Sequence, residues 1–125
     1  MIRDFFLGFI RIHVLHHAAT GPVYGLWLIE ELGRHGSALS PGTLYPILRG
    51  LADGGYLSLE KRLVDGRVRK YYRITAEGRR ALSAARARIA ELMAEVLEPR
   101  TRSREASPRG GARGRLSAGK RAAHE

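Results

Sequence analysis

The sequence crowds basic side chains into residues 61–73, on either side of an Asp65-Gly66 pair. Tyr71 and Tyr72 lie among them, and the nearby acidic residues are Glu60 and Asp65. Six cations make up the set: Lys61, Arg62, Arg67, Arg69, Lys70 and Arg73. Closely spaced Lys and Arg side chains with interleaved aromatic rings favour contact with the phosphates of nucleic acid. A charged strand edge that prevents aggregation is the alternative interpretation.

The segment "LSPGTLYPILRGL", residues 39–51, is a second candidate site. Its apolar residues recur at helical spacing and predict one buried face: Leu44, Ile47, Leu48 and Leu51. The opposite face carries Gly42, Tyr45, Pro46 and Arg49. Small residues at a helix start let free N–H groups approach a phosphate, and Tyr45 and Arg49 can reach base edges in a major groove. A helix cap followed by a proline bend is the alternative here.

Together the two segments predict a DNA-contacting set. Ser40 and Thr43 flank the exposed helix face, and the Ser40 hydroxyl is expected to accept a free N–H of the first turn, with Pro41 at the next position. The set is Ser40, Gly42, Thr43, Tyr45, Arg49, Arg67, Arg69, Lys70 and Tyr71. The expected partner is double-stranded DNA.

Three histidines near the start could bind a metal, because His13 and His17 lie one helical turn apart, with His16 between them. No carboxylate or cysteine lies close in sequence to complete a ligand set, although a partner subunit could supply one. We therefore predict buried or interface histidines and assign no metal ligand. His35 is expected to interact with the end of a helix dipole.

No set of catalytic residues is recognisable in the sequence. Glu30 and Glu31 are adjacent and so point in different directions on a helix, and no serine or histidine stands in a nucleophile motif. We predict neither an enzyme nor a cofactor.

The elements that must position these residues follow from periodicity and caps. Helices are predicted at 4–19, at 23–35 and from Ser40 to Gly54-Gly55. A hairpin with an Asp-Gly turn follows, and Thr75 caps a fourth helix that ends near Leu97. The predicted class is mostly α with a small β-hairpin wing (α+β), a winged helix-turn-helix with an additional C-terminal dimerisation helix.

Two apolar patterns predict a homodimer. The first helix is apolar on nearly all sides, which is more than a small domain can cover alone. The fourth helix repeats apolar residues at spacings of three and four, as in a helix-pairing seam. The residues assigned to dimerisation are Phe5, Phe6, Phe9, Leu82, Ala85, Ile89, Leu92 and Val96.

Net positive charge is denser at the end of the 125 residues than in the rest of the sequence. Residues 1–97 and residues 98–125 each carry a net charge of +5, out of +10 in total. The second part has one large aliphatic residue, Leu116, so we predict a folded domain over 1–97 and a disordered basic tail over 98–125.

The absence of cysteine excludes disulfides and thiol catalysis. No segment reads as a signal peptide or membrane span, so we expect a cytoplasmic protein and no membrane partner.

Three segments, "GPVYGLWLIEEL", "LSPGTLYPILRGLADGGYL" and "DGRVRKYYRITAEGRRAL", resemble those of PadR-type transcriptional regulators over about residues 5–95. The resemblance implies a dimeric winged-helix repressor whose terminal helices dimerise, whose "SPGTLYP" segment and hairpin contact DNA, and whose DNA complex small aromatic or drug-like compounds can release. The short fourth helix matches the short branch of the family. Some short members bind drugs between tryptophans of that helix, which this chain lacks, since its one tryptophan is Trp27.

Two other functions remain open from the sequence. A winged-helix module could bind RNA or a protein instead of duplex DNA. The histidines near the start could also make the chain a metal-sensing regulator.

Overall fold

A computed structural model describes residues 2–97. It contains four helices and three strands: α1 (Ile2–Ala18), β1 (Val23–Tyr24), α2 (Gly25–Arg34), α3 (Pro41–Asp53), β2 (Leu57–Val64), β3 (Arg67–Ile74) and α4 (Ala76–Val96). The chain divides into two units, Met1–Ile89 and Ala90–Glu125, and the described part of the second comprises the last turns of α4. The winged helix-turn-helix fold predicted from the sequence is confirmed. The predicted tail, 98–125, lies outside the described residues.

The core of the first unit is built where α1, α2 and α3 meet. The four apolar residues predicted for the inner face of α3 are at most 6% exposed: Leu44, Ile47, Leu48 and Leu51. They share one cluster with Val14 and Leu15 of α1 and with Leu28 and Leu32 of α2. Because burial of each such side chain contributes roughly 1.5–3 kcal/mol, these contacts fix which face of α3 is turned outward.

The start of α3 differs from the prediction in one detail. Ser40 has the extended backbone of an N-cap residue, but its hydroxyl makes no bond to a first-turn N–H. It instead donates to the Thr43 hydroxyl at 3.3 Å, so the predicted side-chain cap is wrong. The Ser40 carbonyl accepts the N–H groups of Thr43 and Leu44. The helix continues through Pro46.

The predicted helix over 23–35 begins two residues later, at Gly25, because Val23 and Tyr24 form a short strand. This strand pairs antiparallel with β3, Val23 opposite Tyr72 and Tyr24 opposite Tyr71. The Val23 side chain is buried, and the Tyr24 ring packs edge-on against the Tyr71 ring at 5.3 Å. These tertiary contacts favour strand over helix at the two positions.

Strands β2 and β3 form the predicted hairpin, which turns at Asp65-Gly66 with positive φ at both residues. At the base of this wing Leu57 and Tyr72 are buried, whereas Leu63 and Val68, which pair near the tip, are 75% and 66% exposed. The outer half of the wing therefore projects beyond the core.

The Thr75 hydroxyl anchors the first turn of α4. It accepts the N–H of Gly78 at 2.9 Å, as predicted for a cap, and donates to the Gly55 carbonyl at 2.6 Å. The Thr75 N–H also donates to the Tyr56 carbonyl at 3.1 Å. One residue thus joins the start of α4 to the junction between α3 and the wing.

Gly78 is expected to tolerate no side chain. A Cβ atom there would overlap the Tyr56 carbonyl oxygen and the Ile74 side chain, so Gly78→Ala should lower the free energy of unfolding by about 2 kcal/mol or more. Gly50→Ala is the matched control, since position 50 is exposed with no heavy atom within 4 Å. That change should raise stability by up to about 1 kcal/mol. Urea unfolding of both variants measures the difference, and equal effects would contradict the packing described.

Candidate nucleic-acid interface

The outward face of α3 is open. Gly42, Tyr45, Pro46 and Arg49 are all exposed, as the helical spacing predicted, and so is Ser40, while Thr43 is half-buried. The two faces of α3 therefore separate apolar from polar residues. Gly42 lies in the first turn, where Pro41 has no N–H and the N–H groups of Thr43 and Leu44 already donate to the Ser40 carbonyl, which leaves the N–H of Gly42 for an outside acceptor.

Tyr45 is held in place by a glycine that the sequence analysis did not single out. Its ring lies against the backbone of Gly25 at the start of α2, and a Cβ atom at position 25 would overlap the ring. Tyr45 nevertheless keeps 41% of its surface exposed. A buried glycine one residue after a short strand thus orients a side chain of the outer α3 face.

A cleft of about 670 Å³ lies between this region and the wing. Tyr24, Gly25, Leu26 and Tyr45 line one side. The other side is the end of the hairpin, with Val64, Asp65, Arg67, Val68, Arg69 and Lys70. Because β1 pairs only with Tyr71 and Tyr72, no strand within residues 2–97 pairs with the edge of β3 along this cleft. The cleft therefore combines cations with unpaired backbone groups.

Several arginines of the wing are restrained by neighbours on its outer face. Glu60 accepts hydrogen bonds from Arg62 at 2.8 Å and from Arg73 at 2.7 Å. The Arg62 guanidinium also lies 4.2 Å from the centre of the Tyr71 ring. Bonds from Arg62 and then Arg73 lower the pKa of the Glu60 carboxyl to about 2. The single negative charge of Glu60 is thus shared between these two cations.

Arg69 is restrained by aromatic groups and not by an acid. Its guanidinium lies 4.2 Å from the centre of the Tyr24 ring and donates to the Tyr71 hydroxyl at 3.4 Å. This bond raises the pKa of Arg69. Its positive charge remains available while its orientation is held, and Tyr71 serves to position it.

The two lysines of the wing face each other without a counter-charge. Lys61 and Lys70 are directly opposite in the β2–β3 register and both are exposed. Neither forms a salt bridge within residues 2–97, and the same holds for Arg67. Like charges opposite each other destabilise a sheet. An external anion would remove that repulsion.

A second groove borders α3 on its α1 side. It has a volume of about 190 Å³ and is lined by Gly42, Thr43 and Pro46 together with Arg3 and Arg11 of α1. The outer face of α3 therefore lies between two sets of cations, those of α1 and those of the wing. The sequence analysis missed Arg3 and Arg11 because nothing local connects them with α3.

The structure brings two of the three clustered histidines together with a third from another helix. His13 and His17 face His35 at the end of α2, and one ring nitrogen of each lies within 4.8 Å of the others. His16 instead lies beside Arg86, 3.2 Å from its guanidinium. His35 is the C-cap residue of α2, so its interaction with the helix dipole stays a prediction, and its ring also contacts Glu31 and these histidines.

The residues assigned to dimerisation differ in exposure. Leu82 is only 3% exposed and belongs to the subunit's own core. Ala85 and Ile89 are half-buried, and the remaining five are 55–66% exposed: Phe5, Phe6, Phe9, Leu92 and Val96. Ile2 extends the exposed face of α1, and Met93 and Leu97 extend that of α4.

An exposed helix face flanked by a basic wing, on three helices and a small antiparallel sheet, defines a winged helix-turn-helix protein. Residues 14–84 match the model of the transcriptional regulator PadR-like family. The chain is 51% identical over 96 residues to the transcriptional regulator Rv3488 of Mycobacterium tuberculosis, an alignment that covers 77% of this chain and 90% of that protein. The chain belongs to the PadR-like family of transcriptional regulators.

Solved structures agree with this assignment. A PadR family transcriptional regulator from Eggerthella lenta superposes with a TM-score of 0.66 at 33% identity, covering 78% of this chain and 89% of that one. A PadR-like transcription factor from Bacteroides fragilis gives 0.67 at 28% identity, covering 72% and 88%. The family consists of regulators and not of enzymes, as the sequence predicted. Within residues 2–97 no helix combines the length and apolar character needed to cross a bilayer.

The ion pairs of Glu60 give a pH prediction. Its pKa is lowered from 4.5 to about 2, so its contribution to stability is fully present above pH 4.5 and is lost as the pH falls through about 2. A carboxyl-carbon NMR titration should find Glu60 ionised at pH 3.5. Arg73→Ala should raise this pKa toward 4.5, whereas Arg80→Ala, which removes a partner of Glu77, should not. Titration of Glu60 near 4.5 in the unmodified protein would contradict the bonding described.

Proposed function

We propose that this protein is a homodimeric, sequence-specific DNA-binding repressor. In this proposal α3 enters the major groove and the wing and α1 contact the flanking phosphates. The observation that carries it is the open outer face of α3 between two sets of cations, with Arg67 and Lys70 on one side and Arg3 and Arg11 on the other. A duplex offers phosphates on both sides of its groove.

The proposed roles differ along the interface. Arg49 and Tyr45 read base edges, because they are exposed on the face of α3 that no other element covers. Gly42, with Ser40 and Thr43 beside it, lets its own backbone N–H approach a phosphate. Arg3 and Arg11, which the sequence analysis did not select, join the phosphate-contacting set.

Within the wing, the exposed cations without salt bridges carry the phosphate contacts. Lys61, Arg67 and Lys70 are such cations, and Arg69 is added with its orientation held by Tyr24 and Tyr71. Arg62 and Arg73 contribute less, because Glu60 binds both. The unrelieved repulsion between Lys61 and Lys70 supports this division, since a side-chain pair that costs stability is retained where it serves binding.

The proposed dimer buries the two exposed apolar faces. On α1, Ile2, Phe5, Phe6 and Phe9 follow helical spacing of three and four and are 59–65% exposed. On the second unit, Leu92, Met93, Val96 and Leu97 are 51–68% exposed. Patches of this kind mark protein interfaces. Two subunits related by a two-fold axis would then read half-sites about 34–36 Å apart.

Repression, and release of the DNA by a small-molecule or other effector, are proposed from the family to which the chain belongs.

Two substitutions are expected to separate phosphate from base contacts. Lys70→Ala should weaken binding to operator and unrelated duplexes alike, and should reduce the slope of log K against log salt by about 1. Arg49→Ala should reduce the preference for the operator by about 1–3 kcal/mol. Fluorescence anisotropy with the DNA upstream of the chain's own gene, at salt concentrations from about 50 to 300 mM, measures both.

Arg80→Ala is the matched control, since it removes one exposed cation of α4 that is paired with Glu77. It should leave affinity and salt slope unchanged. If Lys70→Ala behaves like this control, the wing assignment fails. If structured RNA competes with the duplex at equal concentration, the proposed DNA specificity is refuted in favour of RNA binding.

Dimerisation is tested by placing a charge on either exposed face. Phe9→Glu and Leu92→Glu should each weaken self-association at least about tenfold, because a buried unpaired carboxylate costs several kcal/mol. Leu63→Glu is the control, since Leu63 is 75% exposed on the wing. Sedimentation equilibrium measures the association constants. A monomeric unmodified protein, or equal effects of all three changes, would rule out the proposed surface.

A further inference from the structure

The end of α1 and the end of α2 bring three imidazoles into one cluster that DNA binding does not use. His13 and His17 come from successive turns of α1, and His35 is the C-cap residue of α2. The ring centres are 4.8 Å apart for His13 and His17, and 5.3 Å and 6.0 Å from these to His35. One ring nitrogen of each residue lies within 4.8 Å of the other two.

We propose that these three histidines form a binding site for a divalent transition-metal ion such as Zn²⁺, Co²⁺ or Ni²⁺, with water as a further ligand. Imidazole nitrogens are favoured ligands of these ions. In a tetrahedral site with Zn–N distances of about 2.0–2.1 Å, the nitrogens lie roughly 3.3 Å apart. The remaining gap closes by small side-chain rotations, and the His35 side chain is free to make them because 52% of it is exposed.

His17 provides an independent reason to expect a ligand. Its Nε2 atom is buried and has no hydrogen-bond partner within the described residues. A buried polar atom left without a partner is costly, and an ion or its bound water would satisfy it. The Trp27 ring packs at nearly a right angle to this ring, with the ring centres 5.5 Å apart.

Glu31 is assigned as a positioning residue. Its carboxylate lies 3.2 Å from His35 Nε2 and is also paired with Arg34. Carboxylates in this place orient the ligating ring and increase its basicity. Burial lowers the pKa of His13 and His17, as do the neighbouring histidines, and this shift favours the neutral form of imidazole that binds metals.

The position of the cluster gives the ion a structural effect. A bound ion would link α1 directly to the end of α2, one short connection before α3 begins. Metal binding is therefore expected to stabilise the folded domain. At a free metal concentration near one hundred times Kd, the Tm should rise by roughly 10–20 °C.

The test uses the full chain without a polyhistidine tag. Calorimetric titration with Zn²⁺ should find one ion per subunit, and Co²⁺ should produce visible absorption bands of a nitrogen-ligated ion. His35→Gln and His13→Gln should each weaken Zn²⁺ binding at least about tenfold. His35 is exposed, so its substitution leaves the core intact, and the circular dichroism of each metal-free variant verifies folding.

His16→Gln is the matched control, because His16 lies in the same stretch of α1 but contacts Arg86. It should bind Zn²⁺ like the unmodified protein. The proposal is overturned if no stoichiometric uptake occurs, if binding survives in the His13→Gln and His35→Gln variants, or if His16→Gln loses it equally. No DNA is present in this experiment, so its failure would not affect the proposed DNA-binding function.

Discussion

Leu44, Ile47, Leu48 and Leu51 are buried against α1 and α2, and their burial determines which side of α3 meets the solvent. The helix cannot rotate about its axis without exposing these side chains, at a cost of several kcal/mol. Pro46 and Gly42, which weaken a helix in isolation, are therefore tolerated on the outer side. Tertiary packing maintains the helix, and the outer surface is left free to vary in shape.

The wing shows how a small domain can display many cations without losing its sheet. Glu60 and the rings of Tyr24 and Tyr71 restrain three of its arginines, which lie on one face of the hairpin. Lys61 and Lys70 pair directly opposite each other on the other face, and neither forms a salt bridge within residues 2–97. Because successive residues of a strand point to opposite faces, the restrained arginines and the unpaired lysines occupy different faces of the wing.

Local patterns in the sequence were sufficient for the features that depend on neighbouring residues. Helical spacing predicted both faces of α3, the Asp-Gly pair predicted the hairpin turn, and Thr75 was predicted as the cap of α4. Features that depend on distant partners were missed. The strand at Val23–Tyr24 exists because β3 lies beside it, and the approach of His35 to His13 requires the packing of two helices.

Leu82 is a second case in which a sequence pattern did not identify what a side chain packs against. Its spacing matched a helix-pairing seam, but spacing alone does not distinguish a partner subunit from the subunit's own core, and the structure buries it in the latter. The apolar residues of α4 that fit the seam pattern therefore include a residue of the subunit's own core and residues exposed on its surface.

The shared hydroxyl of Thr75 has a consequence for communication across the domain. Because it connects the first turn of α4 with Gly55, just after the end of α3, a tilt of α4 pulls on the point where α3 leads into the wing. The angle between α3 and the hairpin therefore depends on the position of the first turn of α4. A contact that shifts the start of α4 would change the width of the cleft between α3 and the wing without touching the residues that line it.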